Sequence, residues 1–150
     1  VIDATIGEYL GVLTPLLAAA EARETAALDT LKAASRNVVL IAARYPDFSR
    51  LLLHEGVEGG PRLDYFLEQI APLRERIAPL VRSVQQAGGL PQFSHNTFLL
   101  ALLMMGAMPF ALVAFSNQLC ALDILAPAQV EQHADRVIAT LFCQPANLVS

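Results

Sequence analysis

The sequence predicts an all-α protein, and three observations carry that prediction. Apolar side chains recur at three- and four-residue steps along most of the chain, no run alternates with the two-residue rhythm of a strand, and Pro and Gly punctuate the periodic stretches at helix-boundary spacing. The residues from Phe98 to Phe115 then read FLLALLMMGAMPFALVAF, eighteen positions without a charge or a side-chain hydrogen-bonding group. A helix that is apolar all round must be covered all round. What covers it decides the class of protein.

The first helix is expected from Ile2 to about Ala20, with Ile6, Leu10, Leu13 and Leu17 on one face. Gly7, Gly11 and Pro15 weaken it, and the donor missing at Pro15 predicts a bend near Thr14. A second helix runs from about Glu21 to Arg44, its buried stripe formed by Leu28, Leu31, Ser35, Val38, Ala42 and Tyr45. Pro46 ends it and opens a short helix to about Glu55, with Asp47 near the positive end of the dipole and Phe48, Leu51 and Leu52 facing inward. The segment Gly56 to Gly60 breaks the chain.

From Gly60-Pro61 a long helix carries Leu63, Phe66, Ile70, Leu73, Ile77, Leu80 and Val84 in a regular rhythm until Gly88-Gly89 stops it. Pro72 and Pro79 lie within it. Each removes a donor at a cost of about 3 kcal/mol in a regular helix, so curvature is expected. Ser94 or Asn96 caps the uncharged helix, which should continue to about Leu122 with a kink at Pro109. A last helix begins at Pro127 and ends near Phe142, with Val130, Ala134, Val137, Ile138 and Leu141 as its apolar positions.

Ten Lys and Arg stand against fourteen Asp and Glu, a net charge of −4, which excludes a surface built to neutralise a phosphate backbone. After Arg82 the only charged residues are Asp123, Glu131, Asp135 and Arg136. A domain of this size buries about 70% of its unfolded surface, and so long an uncharged stretch exceeds what one such core absorbs. An apolar interface depleted in charge is the mark of an obligate homodimer. A bilayer is the other cover to weigh, since eighteen apolar residues reach the lower edge of a membrane span. Ser94, His95, Asn96 and Thr97 before the run, and Ser116, Asn117 and Gln118 after it, lack the cationic cluster and aromatic belt that anchor one. The expectation is therefore no membrane and a cytoplasmic protein without a secretory signal, its Cys120 and Cys143 being reduced thiols among core side chains.

Catalytic constellations are missing from the pattern. His54, His95 and His133 stand singly, without the spacing of a metal motif, and no inward Glu-x-x-His pair suits a di-iron bundle. No Gly-x-Ser-x-Gly elbow is present. Arg62 with Asp64, and Arg74 with Glu75 and Arg76, read as solvated helix faces. No metal, no cofactor and no enzymatic activity are expected.

The segments PDFSRLLLHEG and GGPRLDYFLEQIAPLRERIAPLVRSVQQAGGL, the uncharged helix, and PAQVEQHADRVIATLF together resemble the C-terminal effector-binding and dimerisation domain of a TetR-family transcriptional regulator. The resemblance spans about Glu21 to Phe142 and rests on helix lengths, breaks and the late HAD-containing helix. It implies a bundle of about six helices over residues 1–150. Residues 1–20 would form the helix on the linker side, and the last two helices, within 94–143, would pair with those of a second copy into a four-helix bundle. It also implies a small-molecule effector that changes the spacing of two DNA-reading heads. The chain departs from the family in having no helix-turn-helix before Val1, so DNA would be reached only through an N-terminal domain missing from this chain, its removal being favoured over a naturally headless protein.

In such an arrangement the uncharged helix is covered from both sides, by the ligand cavity and by the partner. Gly106, Ala107, Ala111 and Ala114 would allow close helix approach, while Met104, Met105 and Met108 serve either as an adaptable wall or as plain core filling. The expected cavity wall is Leu13, Leu17, Ile41, Phe48, Leu52, Phe66, Ile70, Met104 and Met108. Tyr45, Tyr65, Gln69 and Asn117 would either supply its polar groups or sit at the surface. No inward charge is evident, so the effector is expected to be apolar or aromatic. Val113, Val130, Val137 and Leu141 are expected to face the partner subunit. A second class stays open, a headless helical dimerisation or adaptor module that binds no ligand.

Overall fold

A computed structural model describes residues 2–22 and 26–142, which are helical throughout apart from short connections, with no strand among the described residues. Helix α1, Ile2–Glu21, continues through Pro15 without a break. Because Glu21 closes α1 and pairs with Arg76 at 2.7 Å, α2 starts later than its periodicity suggests and spans Ala27–Arg44. Its stripe points inward except at Leu28, which is exposed. Helix α3, Pro46–Glu58, passes Gly56 and stops at Gly59 and Gly60, whose φ angles of 71° and 149° are closed to most L residues. Helix α4, Pro61–Gln86, contains both internal prolines. The buried Gln85 amide donates to the carbonyls of Pro91 at 2.8 Å and Phe93 at 2.6 Å, which fixes the chain's path into the next helix.

Helix α5, His95–Leu102, is capped by Ser94, whose Oγ accepts the Thr97 N–H at 3.1 Å. Beyond it the chain departs from the expected single helix. A π-helical turn, Leu103–Ala107, leads into the short α6, Met108–Ala111, and after a break at Leu112 into α7, Val113–Cys120. The pieces on either side of Leu112 are inclined by 89°. One kink at Pro109 thus becomes a widened turn before the proline and a corner after it.

Pro109 explains both. It has no N–H for the Met105 carbonyl, and its ring would collide with that carbonyl in a regular helix. Widening the preceding turn, so that the Met108 N–H reaches back to the Leu103 carbonyl, relieves the collision. At the corner the Ser116 hydroxyl donates to the Pro109 carbonyl at 2.9 Å, replacing a helical N–H. The Asn117 side chain then accepts the Ile124 N–H at 2.7 Å and steers the chain into α8, Pro127–Leu141.

The main core lies where α2, the π turn and α8 meet. Val39, Ala42, Phe110 and Ala134 are fully buried there. A Cβ on Gly106 would stand 2.9 Å from Cγ2 of Val39, so the approach of α2 to the π turn depends on this glycine. His133 of α8 sits against the same turn, its Nε2 3.3 Å from the Gly106 carbonyl and its ring edge-on to Phe110 at 5.3 Å. Outside, Arg36 of α2 bridges Glu131 and Asp135 of α8. A smaller cluster of Ile6, Phe48 and Phe66 joins α1, α3 and α4.

Three expectations need correction. Val137 and Leu141 are 2% and 7% exposed and face the chain's own core, because α8 turns that stripe onto α2 and the π turn; Val113 and Val130 are half-buried. Cys120 is exposed at the end of α7 instead of filling the core, and Cys143 lies outside the described residues. The uncharged run does not form one straight helix, and passes as a membrane span only if its two bent pieces are counted together. Helix α1 is itself apolar and long enough to cross a bilayer, although Ile6, Leu13 and Leu17 on it are buried against the bundle.

Leu141→Asp should destabilise the folded protomer by several kcal/mol, since it places a carboxylate in an apolar core, and denaturant titration should show it. An unchanged midpoint would mean that Leu141 does not belong to that core. Burial holds the His133 imidazole below its ordinary pKa of 6.5, partly opposed by the Gly106 and Met105 carbonyls. The folded state then binds this proton less readily than the unfolded chain, so stability is full above about pH 6.5 and falls as acid is added below it. His133→Gln should flatten the decline between about pH 6.5 and 5.5, where carboxylates remain ionised; a decline of the same slope would assign it to other groups.

Candidate ligand cavity

The smaller aromatic cluster and the main core do not close on each other completely. Between them lies a cavity of about 260 Å³. Helix α1 contributes Tyr9 and Leu13, and α2 contributes Leu31, Ala34, Ser35 and Val38. Phe48, Ser49 and Leu52 come from α3, and Phe66, Leu67, Ile70, Leu73, Arg74 and Ile77 from α4. Asn96, Phe98, Leu99, Leu100 and Leu102 of α5 cover it, with Leu103 and Ala107 of the π turn. Leu67, Asn96 and Leu100 are the exposed members, which marks the side open to solvent.

The wall is overwhelmingly apolar for a reason visible in each helix. Phe66, Ile70, Leu73 and Ile77 follow the three- and four-residue steps that keep side chains on one face of α4. Phe48 links the two sides, its ring 6.4 Å from that of Tyr9 and 5.8 Å from that of Phe66. Two of the buried or half-buried polar groups on the wall are already engaged within the protein. The Ser35 hydroxyl donates to the Leu31 carbonyl of its own helix at 2.7 Å, and the Tyr9 hydroxyl points to the Val38 carbonyl at 3.4 Å. Burial pushes the Tyr9 phenol's pKa up, so it stays protonated throughout the physiological range.

Arg74 differs from these two. It is the one charged side chain on this wall, and its Nε is buried with no hydrogen-bond partner. The solvated helix face expected for Arg74 holds for its neighbour Arg76, which pairs with Glu21, whereas Arg74 is half-buried and forms part of the cavity wall. Its spacing carries a signal. Position 74 lies four residues after Ile70 and three before Ile77, on the same face as both.

Of the wall residues expected from sequence, Leu13, Phe48, Leu52, Phe66 and Ile70 line the cavity. Leu17, Ile41 and Met108 are buried elsewhere in the bundle, and Met104 is 48% exposed. Those last two are displaced because the π turn rotates the methionines away from the face a regular helix would give them. Tyr45 packs beside the smaller aromatic cluster, while Tyr65 is exposed and donates to Asp3 at 2.6 Å. Gln69 is exposed, and Asn117 is committed to the turn before α8. The α2 face of the wall was missed, although Ala34 and Ser35 lie on the stripe of Leu31 and Val38. Among the described residues no group of His, Cys, Asp and Glu is placed to hold a metal ion.

No family model, no curated protein and no solved structure matches this chain.

A cavity that admits an apolar guest should be closed by filling it. Ala34 is 5% exposed and opens onto the void, so Ala34→Phe should place its ring there and leave stability within about 1 kcal/mol of the parent. The same variant should lose the thermal shift that octan-1-ol gives the parent. Retained binding in a folded variant would locate the guest elsewhere.

Proposed function

We propose that this chain is the effector-sensing and homodimerisation domain of a TetR-family-like transcriptional regulator, acting on DNA through an N-terminal helix-turn-helix that is not in this chain. The observation that carries the reading is the apolar cavity of about 260 Å³ at the junction of α1 to α5. A mostly apolar hollow with a few polar groups is the ordinary form of a small-molecule site, and it has no place in a bundle meant only to be rigid.

The position of α1 gives the cavity a means of output. Tyr9 and Leu13 of α1 form part of the wall, and α1 is the helix that the family resemblance puts next to the DNA-reading head. A guest that pushes on those side chains shifts α1 against α2 and α4. In a dimer that shift changes the distance between two heads. Any such coupling is limited to the guest's difference in affinity for the two positions of α1.

Dimerisation is assigned to α7 and its approach. Leu112, Phe115 and Leu119 are 44%, 64% and 71% exposed, and their three- and four-residue steps put them on one stripe. Within the described residues α7 buries only Ser116, so its apolar surface is left for another molecule. Exposed apolar stripes of this kind stabilise subunit contacts when a second copy supplies the matching face.

Native mass spectrometry tests both halves of the reading. The parent should run at twice 16.2 kDa and retain an apolar guest, and Phe115→Asp with Leu119→Asp should give the single mass with guest binding kept. A monomeric parent would remove the dimer assignment. A parent that binds no guest would leave a helical dimerisation module instead of a sensor.

A further inference from the structure

A donor held out of water without a partner is costly, and arginine N–H groups in such places are normally paired with a carboxylate or a phosphate, whereas the half-buried Arg74 keeps one of its donors out of water with nothing to receive it. Arg74 breaks that pattern. Its Nε is shut off from solvent and unpartnered, and no Asp or Glu stands among the residues of the wall it belongs to. The nearest acidic neighbour in sequence, Glu75, is exposed on another face of α4. The other arginine of that helix segment, Arg76, is held by Glu21 outside the bundle.

We propose that Arg74 receives the carboxylate of an amphipathic monoacid whose apolar body fills the cavity. The inference rests on the sensor reading given above and names the ligand class. A guanidinium presents its N–H donors as a planar fork that matches a carboxylate, which explains an arginine here better than a point charge would. Asn96, also on the wall and exposed, supplies a neutral amide next to solvent that can hydrogen-bond the same head group.

The volume sets the size of the body. A cavity of 150 Å³ accommodates benzene, so one of about 260 Å³ holds roughly ten non-hydrogen atoms. That corresponds to a straight-chain acid of about eight carbons or to a single ring on a short acid chain. The largely apolar or aromatic effector expected from sequence thereby gains one negative end.

The test compares octanoate, octan-1-ol and octylammonium by isothermal titration on the full chain. The parent should prefer octanoate to octan-1-ol by tenfold or more and reject octylammonium. Arg74→Met should remove the preference while leaving octan-1-ol binding within threefold, and Arg74→Lys should keep part of it. A parent that binds octan-1-ol as well as octanoate overturns the proposal while the sensor reading stands. Binding of none of the three overturns both. Should Arg74→Met fail to fold, the parent's ranking of the three probes still decides.

Discussion

The arrangement of this bundle depends on one missing hydrogen-bond donor. Pro109 leaves the Met105 carbonyl without its helical partner, in the middle of a run that has no polar side chain to offer in exchange. Another helix answers beside it, with a hydrogen bond to the neighbouring Gly106 carbonyl at 3.3 Å. His133 of α8 stands against the Met105 and Gly106 carbonyls, and burial keeps its ring neutral. The imidazole is thus both a donor to a widened turn and a packing surface for Phe110. A charged side chain in its place would carry a larger desolvation cost, and an apolar one would leave buried carbonyls unsatisfied.

From that accommodation the rest of the C-terminal half follows. The π turn lets Gly106 approach Val39 closely, which brings α2, the turn and α8 into one core. With that contact fixed, α5 packs on α4 and the π turn, and its Phe98 and Leu102 are buried in the same core. The space beneath it is the cavity, and Leu103 and Ala107 of the turn are part of its wall. The corner at Leu112 then turns α7 away from the bundle. Its apolar stripe is exposed for the same reason that the cavity exists: an uncharged run too apolar for a surface has been folded into pieces with different surroundings.

Much of this was legible in the sequence, and the boundary of what was legible is physical. Helix starts at Pro46, Pro61 and Pro127, the Ser94 cap and the stripe of α4 all depend on local chemistry that a sequence displays. Pro109 announced a disturbance too. Periodicity could not say that it would take the form of a π turn and a corner, because that choice depends on His133 and Ser116 reaching back from later in the chain. The same long-range choice decided Met104, Val137 and Leu141, whose assigned faces assumed a straight helix pairing with a partner. Residues on short-range stripes, Phe48, Phe66 and Ile70 among them, line the cavity as their spacing suggests. Arg74 was misread for a different reason: beside Glu75 and Arg76 it looks like part of a charged surface, and only its register with Ile70 and Ile77 distinguishes it.

That register also bears on why a charge persists in so apolar a place. An arginine on an exposed face of α4 would be neutral for folding, whereas one facing the void with an unpartnered Nε works against stability. Replacing it with Met or Leu would fill the space and remove the unsatisfied donor, which makes the present residue a poor choice for packing alone. Sites that trade stability for a group held ready are characteristic of ligand recognition, because the interaction completed on binding then exceeds what a satisfied wall could offer. On that argument the Met variant should be the more stable protein in the absence of any guest, and the advantage should reverse once an apolar acid is bound.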